Sequence, residues 1–126
     1  MMLKILLIED DPFISQLYSD KFSKFLYETE VVRDGFEALE ILKKYKPDCI
    51  LLDIVMPKMD GFEILERIKK DNSLKKIPVL ILTNLGDKTD IDRAMSLGAE
   101  SYIIKSHFTP AEVVDKVNIL LKRKPR

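Results

Sequence analysis

Five side chains stand out for what they could do together: Glu9, Asp10, Asp53, Thr83 and Lys105. Each follows or closes a short apolar run. Leu3 to Ile8 precedes the first two acids, Cys49-Ile50-Leu51-Leu52 precedes Asp53, Pro78 to Leu82 precedes Thr83, and Glu100 to Ile104 precedes Lys105. Apolar runs without alternation suit strands buried on both faces of a parallel sheet. Open α/β sheets bind their ligands beyond the carboxyl ends of such strands. Taken singly, each residue has an ordinary reading. Asp53 could cap a turn, Lys105 could be solvated, and Thr83 merely suits a strand end. Gathered at the ends of four neighbouring strands, they favour a site. Three crowded carboxylates repel unless a cation sits among them. A hard divalent ion such as Mg²⁺, which takes one or two carboxylates and keeps several waters, resolves that repulsion. Lys105 adds a positive charge and Thr83 a hydroxyl. An anionic oxygen nucleophile, a metal and fixed donors are the parts that phosphoryl transfer requires.

The elements that must position these groups can be read in chain order. Leu3 to Ile8 is the first buried strand. Asp11-Pro12 then starts a helix, Asp11 as N-cap and Pro12 in the first helical position, with Ile14, Leu17, Tyr18, Phe22, Phe25 and Leu26 as its apolar side. Glu30 to Arg33 is a short edge strand. Asp34-Gly35 turns into a second helix whose Ala38, Ile41, Leu42 and Tyr45 share one face, and Pro47 ends it. The central strand follows, and Pro57 removes the chain from the sheet soon after Asp53. A third helix begins near Asp60-Gly61 and buries Ile64, Leu65 and Ile68. Asp87 is placed to cap a fourth helix, and Gly98 to end it in the left-handed conformation. Thr109-Pro110-Ala111-Glu112 has the form of a capping box, and Val113, Val117, Leu120 and Leu121 face the core beyond it. Five strands alternating with five helices predict a doubly wound α/β domain with a parallel sheet in the order 2-1-3-4-5.

Composition narrows the alternatives. Hydrophobic residues at 46% and charged residues at 33% are globular values, and 21 basic residues against 21 acidic give no net charge to attract nucleic acid or membrane. No apolar stretch reaches spanning length, and the apolar run at the start is too short for a signal peptide, so a cytoplasmic protein is expected. The one cysteine, Cys49, lies within an apolar run and reads as a small buried hydrophobe. The one histidine, His107, has no evident metal or triad partner. Residues 1–121 are expected to form the domain and 122–126 a basic tail. The tail reads first as a solvated helix end, then as a linker stub, then as a weak phosphate-binding patch.

The ordered set Ile8-Glu9-Asp10-Asp11-Pro12, Asp34-Gly35, Leu51-Leu52-Asp53-Ile54-Val55-Met56-Pro57, Met59-Asp60-Gly61, Leu82-Thr83, Gly98-Ala99 and Tyr102-Ile103-Ile104-Lys105 resembles the receiver domain of response regulators over essentially the whole chain. The 2-1-3-4-5 order is itself a property of that family and does not count separately. The resemblance implies that Asp53 accepts a phosphoryl group from a histidine kinase or phosphotransfer protein. It implies that Asp10, Asp53 and the Val55 carbonyl hold Mg²⁺, with Glu9 acting through water, and that Thr83 and Lys105 hold the phosphoryl group. Tyr102 would swing inward when Thr83 moves, switching the face of the fourth helix, fifth strand and last helix toward a target, an output domain or a second copy.

The sequence also departs from the family pattern. Ser106 stands where proline usually follows the lysine, which predicts a trans Lys105–Ser106 bond. Asn84 is larger than the usual residue and is expected to narrow access for the phosphodonor. Val55 and Leu85 cannot orient an attacking water, so slow self-dephosphorylation is expected rather than enzymatic turnover. A haloacid-dehalogenase-type phosphatase would need an acid at Val55. A flavodoxin-like cofactor binder would need a phosphate loop where the acids Glu9 and Asp10 stand. A receiver-fold interaction module working without phosphorylation is the remaining alternative.

Overall fold

The computed structural model describes residues 2–122, so the basic tail beyond Lys122 lies outside the described residues. Five strands, β1 (Leu3–Ile8), β2 (Tyr27–Val32), β3 (Cys49–Leu52), β4 (Val79–Thr83) and β5 (Ser101–Ile104), form one parallel sheet in the order β2-β1-β3-β4-β5. Between and after them run α1 (Pro12–Lys24), α2 (Gly35–Ile41), α3 (Gly61–Lys70), α4 (Lys88–Ser96) and α5 (Pro110–Leu120). Every residue of β3 and β4 is buried, because both faces of the sheet are covered. One core layer joins Leu6, Ile8, Ile50 and Leu52 to Ile64, Leu65 and Ile68 of α3. The other joins Ile5, Leu7, Cys49 and Leu51 to Tyr18 and Phe22 of α1 and Val113, Val114 and Val117 of α5. Consecutive strand residues thus feed opposite layers.

The capping signals are realised as bonds. Asp11 Oδ1 accepts from Phe13 and Ile14 N–H, Asp34 and Asp60 accept from Glu37 and Glu63 N–H, and Thr109 with Glu112 forms a complete capping box. Asp87 precedes α4 but makes no side-chain cap bond.

Several boundaries differ from the sequence reading. β2 begins at Tyr27, three residues early, because the Tyr27 ring is wholly buried against Phe22 and its hydroxyl pairs with Asn118 of α5. Helix α2 stops at Ile41; Leu42 to Tyr45 continue as turns, with Tyr45 N–H still on Ile41 O at 2.9 Å. Leu17 is 44% exposed, so the apolar side of α1 is narrower than its composition suggests. Leu26 lies beyond the helix at φ +64°, also largely exposed. Pro78 and Glu100 precede their strands rather than joining them.

At the amino edge of the sheet, Lys69 of α3 is nearly buried. Its ammonium donates to Lys75 O at 3.2 Å and Ile77 O at 2.9 Å and pairs with Glu100, which in turn accepts from Val79 N–H at 2.7 Å. The starts of β4 and β5 are thereby fastened to α3.

Tyr45 makes a prediction. Its hydroxyl is buried and has no hydrogen-bond partner among the described residues. Burial, with Glu28, Glu30 and Asp48 nearby, pushes its pKa up to about 12 from an ordinary 10.0. A folded pKa above the unfolded one means stability that is complete below pH 10 and lost as pH rises toward 12. Tyr45→Phe removes the unpaired group, so urea unfolding at neutral pH should show a gain of about 1 kcal/mol. The stability lost between neutral and alkaline pH should also be smaller than in the wild type.

Candidate functional site

Register alone brings the five residues together. Ile8 pairs with Leu52, so Glu9 and Asp53 leave adjacent strands at one level, and Asp53 N–H donates to Ile8 O at 3.1 Å. Thr83 pairs with Ile104, which puts Lys105 one step beyond Thr83. Asp53 and Glu9 are buried, Thr83 is fully so, and Asp10 is exposed.

The carboxylates of Glu9, Asp10 and Asp53 each offer an oxygen within 4.8 Å of the others. Lys105 Nζ donates to Asp53 Oδ2 at 2.8 Å and also pairs with Glu9 Oε1. The other oxygens of these two acids are held by backbone. Asp11 N–H donates to Glu9 Oε2 at 3.1 Å and Val55 N–H to Asp53 Oδ1 at 3.2 Å. Burial raises the pKa of Glu9, against the opposing pull of Lys105 and of the Asp11 N–H. Burial would lower Lys105, but its hydrogen bonds to Asp53 and Glu9 prevail and raise it. One ammonium thus faces three carboxylates, and Asp10 has no ion pair among the described residues.

These groups line a cleft of about 570 Å³ together with Asp11, Ile14, Val55, Asn84 and Leu85. The loop below Asp53 is closed by a tight approach. Gly61, the first residue of α3, donates its N–H to Ile54 O at 2.9 Å, and a Cβ there would fall 2.6 Å from Ile54 Cα and nearer still to Asp53 O. Only glycine allows that packing. Lys58, in the same loop, has φ +69° and pairs with Asp34 at 3.3 Å.

The structure therefore brings Glu9, Asp10, Asp53, Val55, Thr83 and Lys105 to one cleft, and Tyr102 lies outside its lining. Tyr102 is half-buried on β5, with its hydroxyl donating to Leu85 O at 2.7 Å, two residues past Thr83. Burial raises its pKa, and Asp90, Asp53 and Asp87 add to the shift. The Lys105–Ser106 bond is trans, as are all bonds among the described residues. Cys49 is fully buried and burial pushes its thiol far up, while His107 is exposed. The bridge from Lys105 to Glu9 realises the convergence that strand order implied. One feature had no sequence signal: Asn84 Oδ1 accepts from Ser106 N–H at 3.0 Å, tying two loops at the rim.

The fold is a doubly wound domain with acids, a hydroxyl and a lysine converging on one sheet edge, and acids stand where a dinucleotide binder carries its glycine-rich phosphate loop. A family model described as the response regulator receiver domain matches residues 5–118, and the chain belongs to that family of phospho-accepting two-component domains. It is 37% identical over 123 residues to the DNA-binding dual master transcriptional regulator RpaA of Synechocystis, covering 98% of this chain and 51% of that protein. Among solved structures, it is similar to the signal receiver domain of a histidine kinase from Syntrophus aciditrophicus: 34% identity, TM-score 0.86, 94% of this chain and 89% of that one. The Mn(2+)-bound form of the response regulator Rcp1 is similar at 30% identity and TM-score 0.86, covering 98% of this chain and 97% of that one. The chain spans about half the length of the curated relatives that it matches. No helix among the described residues is long and apolar enough to cross a membrane.

Proposed function

We propose that Asp53 is the phospho-acceptor and that Thr83 and Lys105 hold the transferred group. The observation carrying this reading is the placement of Lys105 Nζ 2.8 Å from Asp53 Oδ2, inside a set of three carboxylates that remains in excess of positive charge. The donor set is all hard oxygen, which fits Mg²⁺ better than a softer metal. Asp10, Asp53 and the Val55 carbonyl would hold the ion, with Glu9 acting through water; the similar response regulator Rcp1 has a Mn(2+)-bound form, which favours a divalent ion for this domain. Once bound, the ion neutralises charge on the oxygens of the transferring group.

In the reaction, an Asp53 oxygen forms a bond to phosphorus as the bond from phosphorus to the donor's histidine nitrogen breaks. The electron pair stays on that nitrogen, which takes its proton from solvent. Lys105 already lies against the nucleophile, and on transfer its ammonium shifts its bond to a phosphoryl oxygen; the Thr83 hydroxyl donates to another. New charge of about −1.5 to −2 then draws the ends of β4 and β5 together. Tyr102, latched to Leu85, carries that change to the α4-β5-α5 surface. The donor is a sensor histidine kinase or phosphotransfer protein. The receiving partner at that surface is an output domain, a separate target or a second copy, and the domain works in the cytoplasm as a switch rather than an enzyme.

The test is incubation with Mg²⁺ and a small acyl phosphate, read by intact mass. One phosphoryl group should be gained, and chelating the metal should prevent it; metal-independent uptake would overturn the metal assignment. The lifetime of the phosphorylated form gives a further prediction. Val55 is 61% exposed at the cleft and offers no group to orient water. Val55→Asn should shorten the lifetime by about tenfold, measured as mass loss after removal of the donor.

A further inference from the structure

The strands leave one polar side chain at the mouth of the cleft without an assigned role. Asn84 follows Thr83, is exposed where Thr83 is buried, and lines the same cleft as Asp53 and Lys105. Its amide orientation is fixed by chemistry: a backbone N–H can only donate, so the atom facing Ser106 N at 3.0 Å is the carbonyl oxygen. Ser106 belongs to the single 3₁₀ turn Lys105–His107, which has no side-chain cap of its own. The Asn84 oxygen satisfies an N–H that this turn cannot satisfy internally. With one lone pair of its oxygen so engaged, Asn84 keeps both NH₂ donors, which bond nothing among the described residues, for a ligand.

We infer that Asn84 is a phosphodonor-binding residue, donating from Nδ2 to a phosphoryl oxygen of the incoming donor at the cleft mouth, with Ser106 N–H as the anchor that aims it. The inference rests on Asp53 being the acceptor. A donor at the mouth meets the substrate before and during transfer, whereas Thr83 and Lys105 lie deeper and hold the product. Asn84 therefore acts on donor recognition and not on retention of the group on Asp53. This role is opposite in sign to simple steric narrowing of the cleft.

Two variants separate the possibilities. Asn84→Asp keeps an oxygen for Ser106 N–H but has no donor and adds a negative charge. Asn84→Ala removes both. Phosphorylation by a small acyl phosphate with Mg²⁺ should show KM raised about 5–10-fold in Asn84→Ala and at least as much in Asn84→Asp. The saturating rate should change less than KM, and beryllofluoride affinity should stay near the wild-type value. The Ser106 amide proton, followed by NMR, should remain hydrogen-bonded in Asn84→Asp. A near-normal KM in Asn84→Asp with a raised one in Asn84→Ala would make the residue a loop tie only, and overturn the inference. A lowered KM in Asn84→Ala would do the same in favour of steric narrowing. Failure of the wild-type protein to take up phosphoryl or beryllofluoride would instead refute the acceptor assignment beneath it.

Discussion

Asp53→Asn is expected to abolish phosphoryl uptake, lowering the rate by at least about a thousandfold. An amide has no anionic oxygen to offer phosphorus. The rest of the cleft should nonetheless survive the change. The amide oxygen can still accept from Lys105, and Lys105 keeps Glu9, so no buried charge is left unpaired. One fewer carboxylate also relieves repulsion among Glu9, Asp10 and position 53. Stability should accordingly stay within about 1 kcal/mol of the wild type, or rise slightly. Intact-mass measurement after exposure to Mg²⁺ and an acyl phosphate, beside urea unfolding, separates chemistry from folding. Phosphoryl gain in the variant at the native rate would move the acceptor elsewhere.

Gly61→Ala should be the most damaging single-methyl addition near the site. The new Cβ would lie 2.6 Å from Ile54 Cα and closer to Asp53 O, and both obstacles are backbone, which cannot rotate away as a side chain could. Gly35 is a useful contrast, because there the obstacles are the side-chain ends of Ile64 and Met59. Overpacking against backbone should cost about 3 kcal/mol at Gly61 and less at Gly35. Relief requires the 53–55 segment to move, which displaces the nucleophile. Gly61→Ala should therefore lose phosphorylation rate together with stability, whereas Gly35→Ala should lose stability alone. Equal phosphorylation rates in the two variants would show that the approach of α3 to the Asp53 backbone has no bearing on the chemistry.

Much of this architecture was readable in the residues because strong local signals agreed. The unalternating runs of β1, β3 and β4 mark strands covered on both faces; β3 and β4 are buried throughout, and β1 from Ile5 to Ile8. Asp11-Pro12 and Thr109-Pro110 fix helix starts through bonds within three residues. The five site residues followed from strand order, since neighbouring parallel strands end side by side. What failed depended on distant partners. Nothing near Tyr27 announces that Phe22 and Asn118 will bury it, so β2 was read three residues short. The Leu17 spacing fits a core face, but no element among the described residues buries it. Tyr45 holds its place through a turn bond to Ile41 O and core contacts, although α2 has already ended. The tie from Asn84 to Ser106 joins two loops 22 residues apart and has no periodic signature.

The fastening of Lys69 to Glu100 and to the carbonyls of Lys75 and Ile77 bears on how far any rearrangement at the rim can travel. It bolts β4 and β5 at their bases, while their upper ends are joined across by a tyrosine hydroxyl and an asparagine amide. A beam clamped at one end bends with an amplitude that grows toward the other. On the proposed function, a pull at Asp53 should accordingly displace the start of α4 more than its end, and loosening Lys69 should even out that difference.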